Sequence, residues 1–243
     1  MKTKIGQQPI ILSIAGFDPS SGAGITSDVK AAENIGVYAL GVNTANTIQH
    51  ESKFTDVNWS TEEQISSQIN ILKEKYEISY IKIGLIQHIG LIKTVAKEFP
   101  EAKIIWDPIL SASAGFSFHR ISQKNEIKKM ATLCYLITPN LGEWQKIGSL
   151  IEGKTNVLVK GGHAIGHAND ELILKSGEKH LIEGKRLDVS EKHGSGCVLS
   201  TAITSYLAQG NELSKACELG KNYVIQFLQS NDGLLGLHLS RTK

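Results

Sequence analysis

The sequence has little cysteine, no long apolar run and no cluster of like charge. Its three cysteines, Cys134, Cys197 and Cys217, are too few and too scattered for a disulfide framework or a zinc site. A reducing, cytoplasmic setting is therefore the expectation. No apolar stretch approaches the ~20 residues needed to span a bilayer, which argues against a membrane role. Lysine and arginine never run beyond two in succession and the formal net charge is only +2, so no nucleic-acid-binding face is indicated. The opening stretch, MKTKIGQQPIILSIAG, carries two lysines and an apolar run preceded by Gly6, Gln7, Gln8 and Pro9. It reads as a first buried strand rather than a signal peptide.

What is present is the chemistry of an ordinary globular protein, with 41% hydrophobic and 21% charged residues. A chain of 243 residues suits one α/β domain or two small ones. It shows no linker, repeat or low-complexity segment, so a single domain over residues 1–243 is expected. Continuous branched apolar runs at 10–15, 39–44, 78–85, 103–106, 134–137 and 155–160 read as strands buried on both faces. Helical spacing occupies 25–35, 61–76, 90–99, 121–133 and 213–228, and another helix follows residue 197. This alternation predicts an α/β fold, a parallel sheet with helices on both faces. A small hairpin is expected around Ser176-Gly177-Glu178. Residues 111–119 (SASAGFSFH) are small, polar and aperiodic; a connection of that length in a compact domain suggests a functional loop.

The polar residues fall into a pattern. Gly16 and Asp18, Gln49, Leu85, Asp107, Asn140 and Glu143, Lys160 and the stretch His193-Gly194-Ser195-Gly196-Cys197 all sit just after an expected strand. In open α/β sheets that carboxyl edge is where ligands bind. The 193–197 stretch opens a helix, whose unpaired N–H groups and positive dipole end attract an anion. A thiol in that first turn is expected to have a lowered pKa, although the same residues also suit a plain glycine-rich helix start with a buried cysteine.

Three other readings are weaker. The turn at 16–24 does not complete a dinucleotide fingerprint, because Gly22-x-Gly24 is followed by Ser27 and no acidic residue ends the next strand. Residues 148–155, GSLIEGKT, satisfy G-x-x-x-x-G-K-[ST]. They run from helix to strand, whereas a P-loop runs from strand to helix. A cysteine hydrolase using Cys197, His193 and Asp188 would leave Asp107, Asn140, Glu143 and Lys160 unexplained, and a ligand-binding module without turnover ranks below both.

The blocks ILSIAGFDPSSGAGITSDVKA, VNTANTIQ, IKIGLI, IIWDPIL, LITPNLGE, VLVKGGH and HGSGCVLSTAI together resemble the hydroxymethylpyrimidine/phosphomethylpyrimidine kinases of thiamine biosynthesis. These belong to the ribokinase-like superfamily. The resemblance covers nearly the whole chain, in the family's order. It implies a three-layer sandwich with a mainly parallel central sheet. It also implies ATP-dependent phosphorylation of 4-amino-5-hydroxymethyl-2-methylpyrimidine and then of its monophosphate, with Mg²⁺ as cofactor, by a homodimer. A pyridoxal or pyridoxine kinase is the runner-up, since its substrates are also small heteroaromatic rings bearing a hydroxymethyl group.

Residue by residue, the resemblance makes Gln49 the pyrimidine reader. Its carboxamide is donor and acceptor together, so it can pair with a ring nitrogen and the adjacent amine, which favours the aminopyrimidine over pyridoxal. Ala23, Leu85 and Ile109 match positions lining the pyrimidine pocket, and Asp28 matches an Asp near it. Asn140-x-x-Glu143 matches the motif beside the ATP phosphates and Mg²⁺, with Asp107 nearby. Lys160 matches the lysine near the phosphates. The N–H groups of Gly194, Ser195 and Gly196 would hold the transferring phosphoryl group. Cys197 stands where most of the superfamily has an Asp base. The chain departs from the usual pattern at Phe17, Ser21 and His50, and in a shorter stretch between Glu143 and Asn156.

Overall fold

The computed structural model describes residues 8–110, 124–161, 168–184 and 192–239. Its elements, in chain order, are β1 (Ile10–Phe17), α1 (Gly24–Ile35), β2 (Tyr38–His50), β3 (Lys53–Trp59), α2 (Glu62–Lys75), β4 (Tyr80–Ile83), α3 (Leu91–Glu98) and β5 (Lys103–Trp106). There follow α4 (Lys124–Ala131), β6 (Leu136–Ile137), α5 (Leu141–Ile151), β7 (Asn156–Val159), β8 (Asp170–Ile173), β9 (Lys179–Ile182), α6 (Ser195–Ala208) and α7 (Leu213–Leu228). The 111–119 loop lies outside the described residues, as does Asp188.

Among the described residues the strands form one nine-stranded sheet, ordered β3-β2-β1-β4-β5-β6-β7-β8-β9. The six central strands pair in parallel. The ends are antiparallel, with β3 against β2 on one side and the β8–β9 hairpin against β7 on the other. Strand order reverses at β1, which has β2 on one side and β4 on the other. Such a switch point opens a crevice at the carboxyl end of its strand.

The three layers follow from which side chains each strand buries. Leu12 and Ile14 of β1, Ile81 and Ile83 of β4 and Val157 and Val159 of β7 pack with apolar residues of α2, α3, α4 and α5. On the opposite face Ile105, Leu136 and Leu158 pack with α6 and α7, while Ile11 meets Ala32 of α1. Residues of α6 are buried almost all round, from Cys197 to Leu207, as befits a helix enclosed in a core. It lies between α1 and α7.

Helix termini obey local chemistry. Thr61 caps α2: its hydroxyl accepts from Gln64 N at 3.2 Å and its N–H donates to Gln64 Oε1 at 2.9 Å. The GSLIEGKT sequence is the end of α5 followed by a turn into β7, with Gly153 at φ 70°, and Lys154 is exposed. The structure therefore bears out the inverted order.

Two features differ from the sequence reading. β2 runs on to His50, where 44–49 was expected to continue the 39–44 strand as strand or loop, and it turns back into β3, which was not expected. β3 (KFTDVNW) is an edge strand with no buried residue, so it carries no apolar run to announce it. The chain also continues past α7 and folds back onto the start of α6, as described below.

Ile14, with no exposed surface, tests the first layer. Ile14→Ala is expected to cost about 2–5 kcal/mol, seen as a lower urea midpoint at unchanged slope.

Candidate active site

The turn after β1 is wound around one carboxylate. Asp18 accepts hydrogen bonds from Ser20 N and Ala23 N, both at 2.9 Å, and from the Ser20 hydroxyl. His193 Nε2 lies 2.8 Å from Asp18 Oδ2. Burial alone would push the Asp18 carboxyl up, but the hydrogen bonds from His193, Ser20 and Ala23 outweigh it and hold the group below its ordinary value.

This pair brings the β1 turn against the turn that opens α6. The two backbones close with no room for a side chain. Gly194 sits at φ 76°, and a Cβ there would lie 2.0 Å from the Gly22 carbonyl oxygen. Gly24 sits at φ 63°, and a Cβ there would lie 2.2 Å from the Gly16 carbonyl oxygen. Both positions call for glycine in conformation and in space.

The C-terminal segment buttresses this junction. His193 N donates to Leu234 O at 2.9 Å. The buried Lys192 ammonium donates to Asn231 Oδ1 at 3.1 Å and to the carbonyls of Asn231 and Gly233. Nothing in the sequence pattern of 231–239 announced this role.

Cys197 lies in the first turn of α6, where no side chain caps the helix. Gly194, Ser195 and Gly196 precede it as expected, and their end of the helix faces the β1 turn. The thiol does not follow the sequence expectation. Burial, with the Asp107 and Asp28 carboxylates, pushes its pKa up to about 11, against the pull of Lys82 and of the Gly24 N–H that donates to it. Burial and the two carboxylates outweigh Lys82 and the Gly24 N–H, so the neutral thiol is the favoured form at rest. His193 is engaged with Asp18, so the hydrolase reading also loses its expected base.

Beside Cys197 lies a charged cluster from the ends of β5, β6 and β7. Lys160 Nζ is 2.8 Å from Asp107 Oδ1, and a Cβ at Gly196 would lie 3.3 Å from the same ammonium. Burial would lower the Lys160 pKa, but Asp107 and Glu143 outweigh it and raise it, so this lysine stays charged. Asp107 also accepts from Thr138 and Ser200, both at 3.3 Å. Asn140 and Glu143 form the capping box of α5: Asn140 Oδ1 accepts Glu143 N at 2.9 Å and Glu143 Oε2 accepts Asn140 N at 2.8 Å. Burial and the Asp107 charge raise the Glu143 pKa against Lys160 and two backbone N–H donors.

The residues expected to meet a ring are spread along the same sheet edge, from the end of β2 to just after β5. Leu85 packs against Gly16, and its carbonyl accepts from the Thr44 hydroxyl at 2.6 Å. Ile109 is half-buried just beyond Asp107. Ala23 sits between Asp18 and Gly194. Gln49 lies on the β2–β3 hairpin, three residues beyond the level at which Phe17 pairs with Asn46, so it overhangs the end of β1. Among the described residues its carboxamide has no hydrogen-bond partner. Asp28, expected near the pocket, is instead wholly buried beneath it, accepting from Ser13, Thr201 and Lys82. Lys82 and Thr201 were missed; the one signal was a lysine inside the apolar run YIKIGLI.

A positive helix end, a charged lysine, two acidic side chains and an amide-bearing overhang thus all lie along the carboxyl edge of the sheet. That set suits polyphosphate on one side and a small polar ring on the other.

Comparison with known proteins points the same way. A family model described as phosphomethylpyrimidine kinase matches residues 18–238. A bifunctional thiamine biosynthesis protein of Methanocaldococcus jannaschii is 32% identical over 89% of this chain and 52% of its own length. The chain spans about half or less of the length of the first curated relatives it matches. The crystal structure of a Clostridium difficile phosphomethylpyrimidine kinase is 30% identical, covers 90% of this chain and 99% of its own, and superposes with a TM-score of 0.74. A Staphylococcus aureus pyridoxal kinase in complex with AMP-PCP and pyridoxal is 21% identical, covers 93% of this chain and 89% of its own, and reaches a TM-score of 0.78, a likeness of fold.

Gly194→Ala is expected to destabilise the chain by more than about 1 kcal/mol, since φ and space both forbid the methyl, and to abolish polyphosphate binding; denaturant titration and calorimetry check both. His193→Ala tests the Asp18 pairing through pH. A carboxyl held below its unfolded pKa contributes stability above that value and loses it as pH falls through the folded pKa. The variant should therefore melt lower at pH 7, and the gap between its melting temperatures at pH 7 and pH 3 should narrow relative to the parent.

Proposed function

Because the chain belongs to the phosphomethylpyrimidine kinase family, we propose that it transfers the γ-phosphoryl group of ATP to 4-amino-5-hydroxymethyl-2-methylpyrimidine and then to its monophosphate. The observation that carries this reading is the junction of Gly194 with Gly22, which sets the start of α6 against the β1 turn with the Lys160 ammonium beside Gly196. We also read the chain as a single-domain enzyme that works as a homodimer in the cytoplasm. Its three free cysteines suit a reducing compartment.

Phosphoryl transfer needs alignment and charge stabilisation more than covalent help. The uncapped N–H groups of Gly194, Ser195, Gly196 and Cys197 receive the transferring group at the positive helix end. Lys160, kept protonated by Asp107 and Glu143, neutralises further phosphate oxygen. Gln49 pairs with the ring nitrogen and amine, while Ala23, Leu85 and Ile109 supply the walls. The hydroxymethyl group then faces Cys197.

Asp107 and Glu143 fit a magnesium ion. They are close enough for Asp107 to raise the Glu143 pKa, and Mg²⁺ is commonly bound through one or two carboxylates together with substrate phosphates and water. Among the described residues no group of three acidic, histidine or cysteine side chains could make a full protein cage, which suits that shared mode. The ion would neutralise polyphosphate charge. Asn140 supports it indirectly, by fixing Glu143 through the capping box.

Cys197 acts as a weak base through its thiolate: the thiol first gives its own proton to solvent, and the sulfur then takes the alcohol's proton late in the transfer. With a thiol at about 11 and an alcohol well above that, early proton transfer is uphill. In a loose transition state the alcohol becomes acidic only as its bond to phosphorus forms.

The deciding assay measures ATP consumption with hydroxymethylpyrimidine, its monophosphate and pyridoxal side by side. Turnover of the first two above pyridoxal is expected, and preference for pyridoxal would make the runner-up the function. Cys197→Ala should lose at least about 100-fold in kcat, the scale of a general base, while ATP affinity by calorimetry stays within about twofold. A variant that keeps its rate would remove the base role.

A further inference from the structure

Beneath Cys197 lies a buried ion pair that the proposed chemistry does not use. Lys82 sits in the middle of β4 with no exposed surface. Its ammonium contacts both oxygens of Asp28, at 2.8 and 3.0 Å. Asp28 is also without exposure, and it accepts the Ser13 hydroxyl at 2.5 Å and the Thr201 hydroxyl at 2.7 Å. One carboxylate therefore ties together β1, β4, α1 and α6.

Stability does not explain this pair. Taking an ammonium and a carboxylate out of water costs several kcal/mol each, and well-packed apolar residues of similar volume are often neutral or better. The geometry suggests another use. Thr201 stands four residues after Cys197 on α6, so it shares the face of the thiol. The Lys82 side chain reaches along β4 toward the carboxyl edge of the sheet, and a Cβ on Gly84 would come within 2.8 Å of its Nζ. The ammonium thus lies at the level where the site begins.

We propose that Lys82 is a positioning residue for the reaction: held by Asp28, and with α6 pinned through Thr201, it fixes a positive charge beneath Cys197 that supports the thiolate the sulfur must become, by giving its own proton to solvent, before it can take the proton of the substrate alcohol. The role rests on Cys197 acting as the base.

The charged groups that face the thiol are Lys82 from β4, Asp28 from α1, Asp107 after β5 and Lys160 after β7. His193, one turn earlier, is spent on Asp18. Burial weighs against ionisation first; of the charges, Lys82 has the largest effect and favours the thiolate, while Asp107 and Asp28 oppose it. Asp28 therefore has two effects. It makes a buried lysine tolerable and partly offsets it, leaving a sulfur that is neutral at rest and supported only when charge develops.

The test reads the thiol directly and needs no substrate. In a Cys134→Ala/Cys217→Ala background, the rate of iodoacetamide alkylation at Cys197 is followed from pH 7 to 11. The parent is compared with Lys82→Met/Asp28→Asn, a near-isosteric neutral pair that conserves net charge. The pair is expected to alkylate at least threefold more slowly at pH 9, with the inflection of the profile moved to higher pH. A folded pair whose rate and profile match the parent, or whose thiol reacts faster, overturns the proposal.

Should the pair fail to melt cooperatively, Gly84→Ala decides. The added methyl must displace the flexible ammonium, the nearest other atom being Ala15 Cβ at 3.4 Å. Slower alkylation is then expected, and an unchanged rate overturns the proposal. Lack of ATP turnover by the parent would strike the kinase reading without touching these rates, so the two failures are distinguishable.

Discussion

The site depends on a contact between two backbones. Gly194 and Gly22 approach so closely that a single methyl at Gly194 would lie 2.0 Å from a carbonyl oxygen. The two residues are separated by most of the chain and belong to turns on different elements. Their approach requires β1 and α6 to be placed correctly by the layers between them, which is why the core around α6 matters to chemistry at its end. The buried Asp18–His193 pair holds the turns at that distance. Lys192 and the 231–239 segment brace the same junction from behind. Loss of the contact would move the start of α6 away from the crevice that the strand-order reversal creates.

Charge is distributed around that junction in separate compartments. Asp18 is spent on His193 and backbone N–H groups, Asp28 on Lys82, and Asp107 on Lys160. Asp28 and Asp107 are each paired with a lysine, and Asp18 is satisfied by His193 and backbone N–H groups. The Lys160 compartment opens toward Gly196, whereas the Lys82 compartment is sealed. A charge in a sealed compartment is weakly screened and acts over a longer distance than one at the surface. This is why a lysine that touches no solvent can still matter to the sulfur above it.

The fold was legible because its central strands are buried on both faces. Runs such as IILSIA and KIIW admit little besides parallel strands, and the placement of polar residues at their ends marked one sheet edge. What could not be read was whatever depends on long-range pairing. β3 is an edge strand with no fully buried residue and only Phe54, Val57 and Trp59 half-buried, so its clearest signal is the partner it lies beside. Lys82 looked like noise in an apolar run, since nothing local says that Asp28 will meet it. The pKa of Cys197 failed for the same reason. The helix end is a local feature and argues for a low value, while burial and two distant carboxylates decide for a high one. Asn140 and Glu143 were legible by resemblance as a phosphate-side motif, and the structure adds that they form the capping box of α5. The structure makes these compatible, because the cap is what holds the Glu143 side chain toward Asp107.

A high thiol pKa is easier to reconcile with catalysis than it first looks. A thiolate beside ATP would add negative charge where the reaction already concentrates it, and would repel the phosphates the helix end is built to attract. A neutral thiol avoids that repulsion during binding. As the alcohol oxygen bonds to phosphorus, its proton becomes strongly acidic, and the sulfur takes it once the thiol has given its own proton to solvent. Lys160 and the helix end offset the charge of the phosphates beside the sulfur, and Lys82 beneath it offsets the charge that the sulfur bears between losing its own proton and taking the alcohol's. Burial, which raises the pKa, and the fixed cation, which opposes the rise, thus act at different moments of one turnover.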